Sequence, residues 1–178
     1  MEALISEMTM ILEQLPNNTK VGLTSFSSSG YGNHKEWNES KNGLVRLGDE
    51  GKRDSAIQFV NTLDNDRVTR WGGTDPWNAI QSAFDDTEAD TLYLMSDGRP
   101  NRDRDGGKWS SGDREDTANL YAGKNDNRQH DGEDRALIVN TISLGLESPW
   151  LQKLSELTHD YYNQIDKDSL TEAQDEVN

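Results

Sequence analysis

Short apolar blocks of strand length alternate along this chain with longer stretches whose apolar residues recur every three or four positions, and that alternation limits the fold to few architectures. Thr91-Leu92-Tyr93-Leu94-Met95 is the clearest strand, joined by Leu137 to Leu144, Val21 to Phe26, Tyr161 to Ile165 and a short one at Leu44 to Leu47. Helical patterns lie between and around them. Glu2 to Leu15 aligns Leu4, Ile5, Met8, Ile11, Leu12 and Leu15 until Pro16-Asn17-Asn18 ends the pattern. Ser55 to Leu63 is a second helix, and a third starts at Pro76 behind an Asp75 cap and runs to about Phe84. Ser148 and Pro149 open a fourth, carrying Trp150, Leu151, Leu154 and Leu157, and Leu170 to Val177 is a last one. Strands separated by helices at this spacing predict one α/β domain over residues 1–178, with a doubly wound, mostly parallel sheet covered on both faces.

Ligands of such sheets bind beyond the carboxyl ends of the strands. The stretches to watch are therefore Ser25 to Ser29, Ser96 to Pro100, Gly145 to Ser148 and the loop Gly72 to Asp75. Residues 101–135 hold nine acidic and seven basic residues with five glycines, and read as a charged, mixed-sign loop excursion with room for a short helix near Glu115 to Ala122.

Composition narrows the partners. With 33 Asp and Glu against 18 Lys and Arg the formal charge is −15, which repels nucleic acid and anionic membrane surfaces and leaves cations and basic partners open. Leu, Ile, Val and Phe total 33 of 178 residues, low enough to raise disorder, but their grouping in periodic blocks argues for a folded core. Cysteine is absent, so disulfides, thiolate metal sites and cysteine nucleophiles are excluded. Apolar runs far below the roughly 20 residues of a membrane span predict a soluble chain without membrane insertion. Met1 leads straight into a helical pattern, so no export signal is expected in it.

The order of Val21-Gly22-Leu23-Thr24-Ser25-Phe26-Ser27, Gly72-Gly73-Thr74-Asp75-Pro76, Leu92 to Met95 with Ser96-Asp97-Gly98-Arg99-Pro100, and Val139 to Gly145 resembles a von Willebrand factor A domain over nearly the whole chain. Leu154 to Thr158 with Tyr161-Tyr162 is similar to that family's final helix and strand. The resemblance implies a Rossmann-like fold and a metal-ion-dependent adhesion site, in which Asp-x-Ser-x-Ser, a Thr and an Asp hold a divalent cation. Thr74 and Asp97 match two of those five positions, and Ser96 and Asp75 neighbour them as supporting groups. The implied cofactor is Mg²⁺, or Mn²⁺ or Ca²⁺, whose open coordination position takes an acidic residue of a protein ligand.

No Asp-x-Ser-x-Ser occurs in the 178 residues, and the family's central first strand has no counterpart. The strands flanking such a vacant lane would stand roughly 9.6 Å apart, beyond hydrogen-bonding reach. Three explanations are open: a chain that is a fragment or mis-started reading of a longer protein, a strand supplied by another chain, or direct re-pairing. The first is expected, because Met1 falls a few residues past where the motif would end. Metal binding by this chain is then expected to be weak or absent, and an extracellular or cell-surface setting follows only if a longer exported protein contains it.

Asn101, Asp103 and Asp105 alternate before Gly106 like the start of a calcium loop, although position twelve is Gly112 and two arginines interleave, which favours a solvated loop. His34, His130 and His159 lack ligand spacing. Trp77 and Trp150 fall on helices and read as core, whereas Trp109 in the excursion is a contact candidate. The function expected is a non-catalytic protein-binding or adhesion module. A metal-independent interaction module is the alternative. Phosphoryl transfer through Asp97 is weaker, since no phosphate-cradling loop accompanies it.

Overall fold

The computed structural model describes residues 2–27, 34–65, 74–96, 99–130 and 133–165. Where the sequence suggests one domain, contacts group the chain into two compact units, Met1–Gly72 and Gly73–Asn178. Among the described residues no helix is long and apolar enough to cross a membrane.

In the first unit, helices α1 (Glu2–Gln14) and α2 (Lys52–Asn65) pack together, and Leu12, Leu23, Trp37, Leu47, Ala56 and Val60 form the core. Arg53 of α2 donates to the Leu12 carbonyl, to that of Leu15 at 2.7 Å and to Asn17 Oδ1 at 2.9 Å. Its charge thereby satisfies acceptors left open where α1 ends. The strand expected over Val21 to Phe26 is divided in two. β1 (Lys20–Val21) pairs antiparallel with β4 (Val45–Arg46), and β2 (Thr24–Phe26) pairs antiparallel with β3 (His34–Glu36). Leu23 makes the division: its carbonyl accepts the Trp37 N–H at 2.9 Å and its N–H reaches Ser40 Oγ at 3.4 Å, at the 3-10 turn Asn38–Ser40. Gly48 is fixed by space, because its N–H donates to the Asn17 carbonyl at 2.8 Å and a Cβ would stand 2.5 Å from that oxygen.

The second unit is mixed α/β around a parallel three-stranded sheet. Its strands β5 (Thr91–Ser96), β8 (Ile138–Leu144) and β9 (Tyr162–Ile165) lie in the order β5-β8-β9, with Leu92 opposite Val139 and Thr141 opposite Tyr162. Helix α3 (Trp77–Asp85) precedes β5, while α4 (Ser111–Asp126) and α5 (Pro149–Thr158) fall between the paired strands in sequence, as parallel pairing requires. α5 packs on β8 and α4 on α5, and the Thr141 hydroxyl donates to the Leu151 carbonyl at 3.1 Å. That face buries Leu94, Val139, Thr141 and Ser143. On the opposite face Met95, Ile142 and Leu144 are buried, yet Tyr93 and Ile138 are each 48% exposed, so cover there is incomplete.

The region read as a charged loop excursion is largely structured, which corrects that expectation. A loop closed by an antiparallel backbone pairing of Arg102 with Lys108 leads into the sixteen-residue α4, and β6 (Gln129–His130) pairs with β7 (Glu133–Asp134) beyond it. α4 exceeds the short helix expected because its inward residues, Thr117, Ala118, Tyr121 and Asn125, have helical spacing but little apolar signal. At its start the Ser110 N–H and hydroxyl both donate to Asp113 Oδ2, at 2.5 and 2.6 Å. Two buried polar side chains then tie the crossover down. Asn125 bridges Leu137, donating to its carbonyl at 2.8 Å and accepting its N–H at 2.7 Å. Arg128, 6% exposed, donates to the carbonyls of Asp86 and Ala89 at 2.5 Å each; burial lowers its pKa, with Asp86 opposing. The helix expected over Leu170 to Val177 lies outside the described residues.

Candidate functional site

The loop entering α3 and the segment leaving β5 meet through one residue. Asn101 Oδ1 accepts the Thr74 N–H, and the Asn101 N–H donates to the Thr74 carbonyl at 2.7 Å. Both backbone polar groups of Thr74 are thus occupied by a residue just past the carboxyl end of β5. Thr74 is 8% exposed, and its hydroxyl oxygen is not among the sealed polar atoms that lack a partner. A threonine hydroxyl oxygen is a hard donor of the kind that Mg²⁺ or Ca²⁺ accepts.

The other expected site residues fall in different places. Ser96 is buried at the end of β5. Asp97 lies outside the described residues, as do Gly72 and Gly73. Asp75 is partly buried, but Pro76 takes the N-cap position of α3 with helical φ −88° and ψ −3°, and no side chain caps that helix. Proline supplies the pre-set φ and needs no N–H there, so the helix starts without the carboxylate.

Asn101, Asp103 and Asp105 lie in the loop after β5, and two of the three turn their oxygens onto the protein's own backbone. Asn101 holds Thr74. Asp103 Oδ1 accepts the N–H groups of Asp105 at 2.9 Å and Gly107 at 2.7 Å, bracing the turn from inside. Gly107 has no room for a Cβ beside the Asp103 carboxylate. The Arg102 guanidinium donates to the Gly106 carbonyl at 2.9 Å across the same turn. Among the described residues no three or more His, Asp or Glu side chains group so as to hold a metal ion.

Trp109 joins a cluster. It stacks on Trp77 with ring centroids 5.5 Å apart and meets Trp150 edge-on at 6.2 Å, while Trp77 and Trp150 lie 5.7 Å apart. Trp77 Nε1 donates to the Arg102 carbonyl at 2.9 Å, and the Trp109 N–H donates to the Asn101 carbonyl at 3.3 Å. Trp77 and Trp150 are buried and Trp109 partly so. The tryptophans therefore seat the 101–109 loop on the start of α3 and α5.

Sequence reading missed the part Asn101 plays, because an Asn between charged residues carries no mark of a backbone clasp. A cavity of about 350 Å³ opens on α4 and α5, lined by Arg114, Glu115, Gln152, Lys153 and Glu156, and none of the expected site residues borders it. Its charges are partly paired, with Lys153 and Glu156 3.9 Å apart and Gln152 donating to Glu156 at 3.1 Å. No protein-family model matches the chain, and no curated protein matches it.

Proposed function

We propose that this chain is a non-catalytic protein-binding module of the von Willebrand factor A type. In this reading Thr74 and Asp97 supply a hydroxyl and a carboxylate to a divalent cation, Mg²⁺ or alternatively Mn²⁺ or Ca²⁺, and an acidic residue of a protein ligand completes its coordination. The observation that carries the reading is Thr74: a buried residue whose N–H and carbonyl are both held by Asn101, just past the carboxyl end of β5. A parallel sheet whose ligands sit beyond the carboxyl strand ends supports it, since Thr74 is clasped from that end of β5.

The chain's own residues would orient rather than react. Thr74 offers a neutral oxygen, Asp97 one negative charge, and Ser96 and Asp75 stand beside them in sequence to order bound water. The bound cation supplies an electrophilic position for a partner carboxylate. Two protein donors leave most of about six positions to water, so affinity is weak, with a dissociation constant on the order of 10⁻³ M. Thermal melts test the reading. Millimolar Mg²⁺ or Mn²⁺ is expected to raise the midpoint of the native chain over EDTA and to leave Thr74→Ala unmoved. An unchanged native midpoint with every ion would instead favour the metal-independent interaction module, which the inward-turned oxygens of Asn101 and Asp103 also support.

A further inference from the structure

We propose that the less covered face of the parallel sheet, at the amino ends of its strands, is a docking surface for a basic amphipathic helix of a protein partner. This end lies opposite the one from which Thr74 is clasped. The Thr141 hydroxyl donates to the Leu151 carbonyl and the Tyr162 hydroxyl accepts the Ser148 N–H, so both side chains lie on the α5 side. Their chain neighbours Asn140 and Tyr161 therefore turn to the other face. Tyr93 is opposite Asn140, and the Thr141 N–H donates to the Tyr161 carbonyl at 2.8 Å, which puts Tyr93, Asn140 and Tyr161 in one row across three strands. Ile138, two residues before Asn140, stands about 6.6 Å below that row. Tyr93 and Ile138 are 48% exposed and Tyr161 is 80% exposed. Three strands span about 9.6 Å between their outer axes, close to the width of one helix. Parallel sheets are ordinarily covered on both faces, and α5 packs on the opposite one.

The charge around the patch selects its occupant. Helices α4 and α5 are crossovers between parallel strands, so their C-terminal carbonyls face the same end as the patch and add partial negative charge there. Asp86 and Asp90 between α3 and β5, Asp126 at the end of α4 and Asp160 ahead of β9 add carboxylates. Asp160 accepts the Val139 N–H at 2.7 Å and Asp90 accepts the Thr91 hydroxyl at 2.9 Å, and neither forms an ion pair with a described residue. Arg128 is turned inward onto backbone carbonyls and Lys124 donates to Gln81 Oε1, so among the described residues Arg135 is the remaining cation at this end. A second copy of a chain of charge −15 would bring like charge to like, and residues 166–178 carry five carboxylates against one lysine. A lysine- or arginine-rich helix with an apolar stripe matches both the width and the charge.

The test is fluorescence anisotropy of a labelled helical peptide of about five turns built from lysine and leucine, with its glutamate and leucine counterpart as control. The lysine peptide is expected to bind the native chain at an ionic strength of about 0.05 M and to weaken at about 0.5 M, and the glutamate peptide not to bind. Tyr161→Ser alters a side chain already exposed and Ile138→Thr keeps the β-branch, and each is expected to weaken binding about tenfold. Leu146→Ser removes a 60% exposed apolar side chain beyond the carboxyl end of β8 and is expected to change binding by less than about twofold. Equal binding of both peptides, an equal loss in Leu146→Ser, or native-like binding by folded Tyr161→Ser and Ile138→Thr overturns the proposal. Absence of binding by the native chain overturns it as well, and sedimentation then assigns the face: a dimer that Ile138→Thr dissociates gives it to a second copy, and a monomer leaves it to the chain's own residues.

Discussion

Asn125 and Tyr121 lie one helical turn apart on the buried side of α4 and make opposite use of a polar atom. The Asn125 amide satisfies both backbone groups of Leu137, whose own exposure is 1%, so Asn125→Ala strands a donor and an acceptor in the interior. A cost of about 3 kcal/mol is expected, since each buried group left unpaired costs about 1–3 kcal/mol. Tyr121 is fully buried beside Phe84, at 5.1 Å between centroids, and among the described residues its hydroxyl makes no hydrogen bond of good geometry, Arg104 being the side chain nearest to giving one. Burial raises its pKa, and Arg104, 5.5 Å from the ring centroid, works against that shift. Tyr121→Phe should therefore be neutral or stabilising by about 1 kcal/mol, because it deletes an unmet hydroxyl and keeps the ring. Urea denaturation of the two variants checks both signs; a destabilised Tyr121→Phe would mean that the hydroxyl is held by Arg104.

At the scale of elements, α4 begins with a capping box. Asp113 takes both the N–H and the hydroxyl of Ser110, and those bonds hold its carboxyl below the usual pKa. A carboxyl whose folded pKa is depressed contributes stability above its unfolded pKa, near 3.9, and loses it as pH falls through the folded value. Glu39 behaves alike, lowered by hydrogen bonds from Lys52 and Ser55. Acid titration of the urea midpoint should therefore fall less steeply below about pH 4 in Asp113→Asn than in the native chain. An identical acid slope would contradict the capping bond.

Elements with strong patterns were legible in the sequence. β5, β8 and α5 stand within a residue of their expected bounds, because β-branched and leucine-rich runs end at a Gly or begin at a Ser-Pro cap. α4 was only partly legible, since Thr117 and Asn125 occupy inward positions and earn their burial through hydrogen bonds or packing that a hydropathy pattern does not carry. The break at Leu23 depends on Trp37 and Ser40, more than ten residues away, and no local rule foretells it. β3 is wholly polar, His34-Lys35-Glu36, and only its pairing with β2 makes it a strand. The Gly-Gly-Thr motif drew attention to Thr74, whereas the Asn101 clasp on its backbone was not legible, because one side-chain oxygen and one backbone N–H meeting a distant residue leave no periodic trace.

For the molecule as a whole, a formal charge of −15 lowers the cost of bringing a divalent cation to the surface and opposes approach of an acidic ligand without one. The half-exposed Tyr93 and Ile138 show that the parallel sheet is less covered on one face than a doubly wound fold requires, so the α/β class is what the structure supports. The proposed function turns on whether Thr74 and Asp97 act on the same ion. A Mn²⁺ titration of the native chain beside Thr74→Ala and Asp97→Asn, read by calorimetry, addresses that directly. One weak site, with a dissociation constant on the order of 10⁻³ M and lost in both variants, is the expected result. Native-like binding in both variants, or no site in the native chain, would contradict the cation-dependent reading.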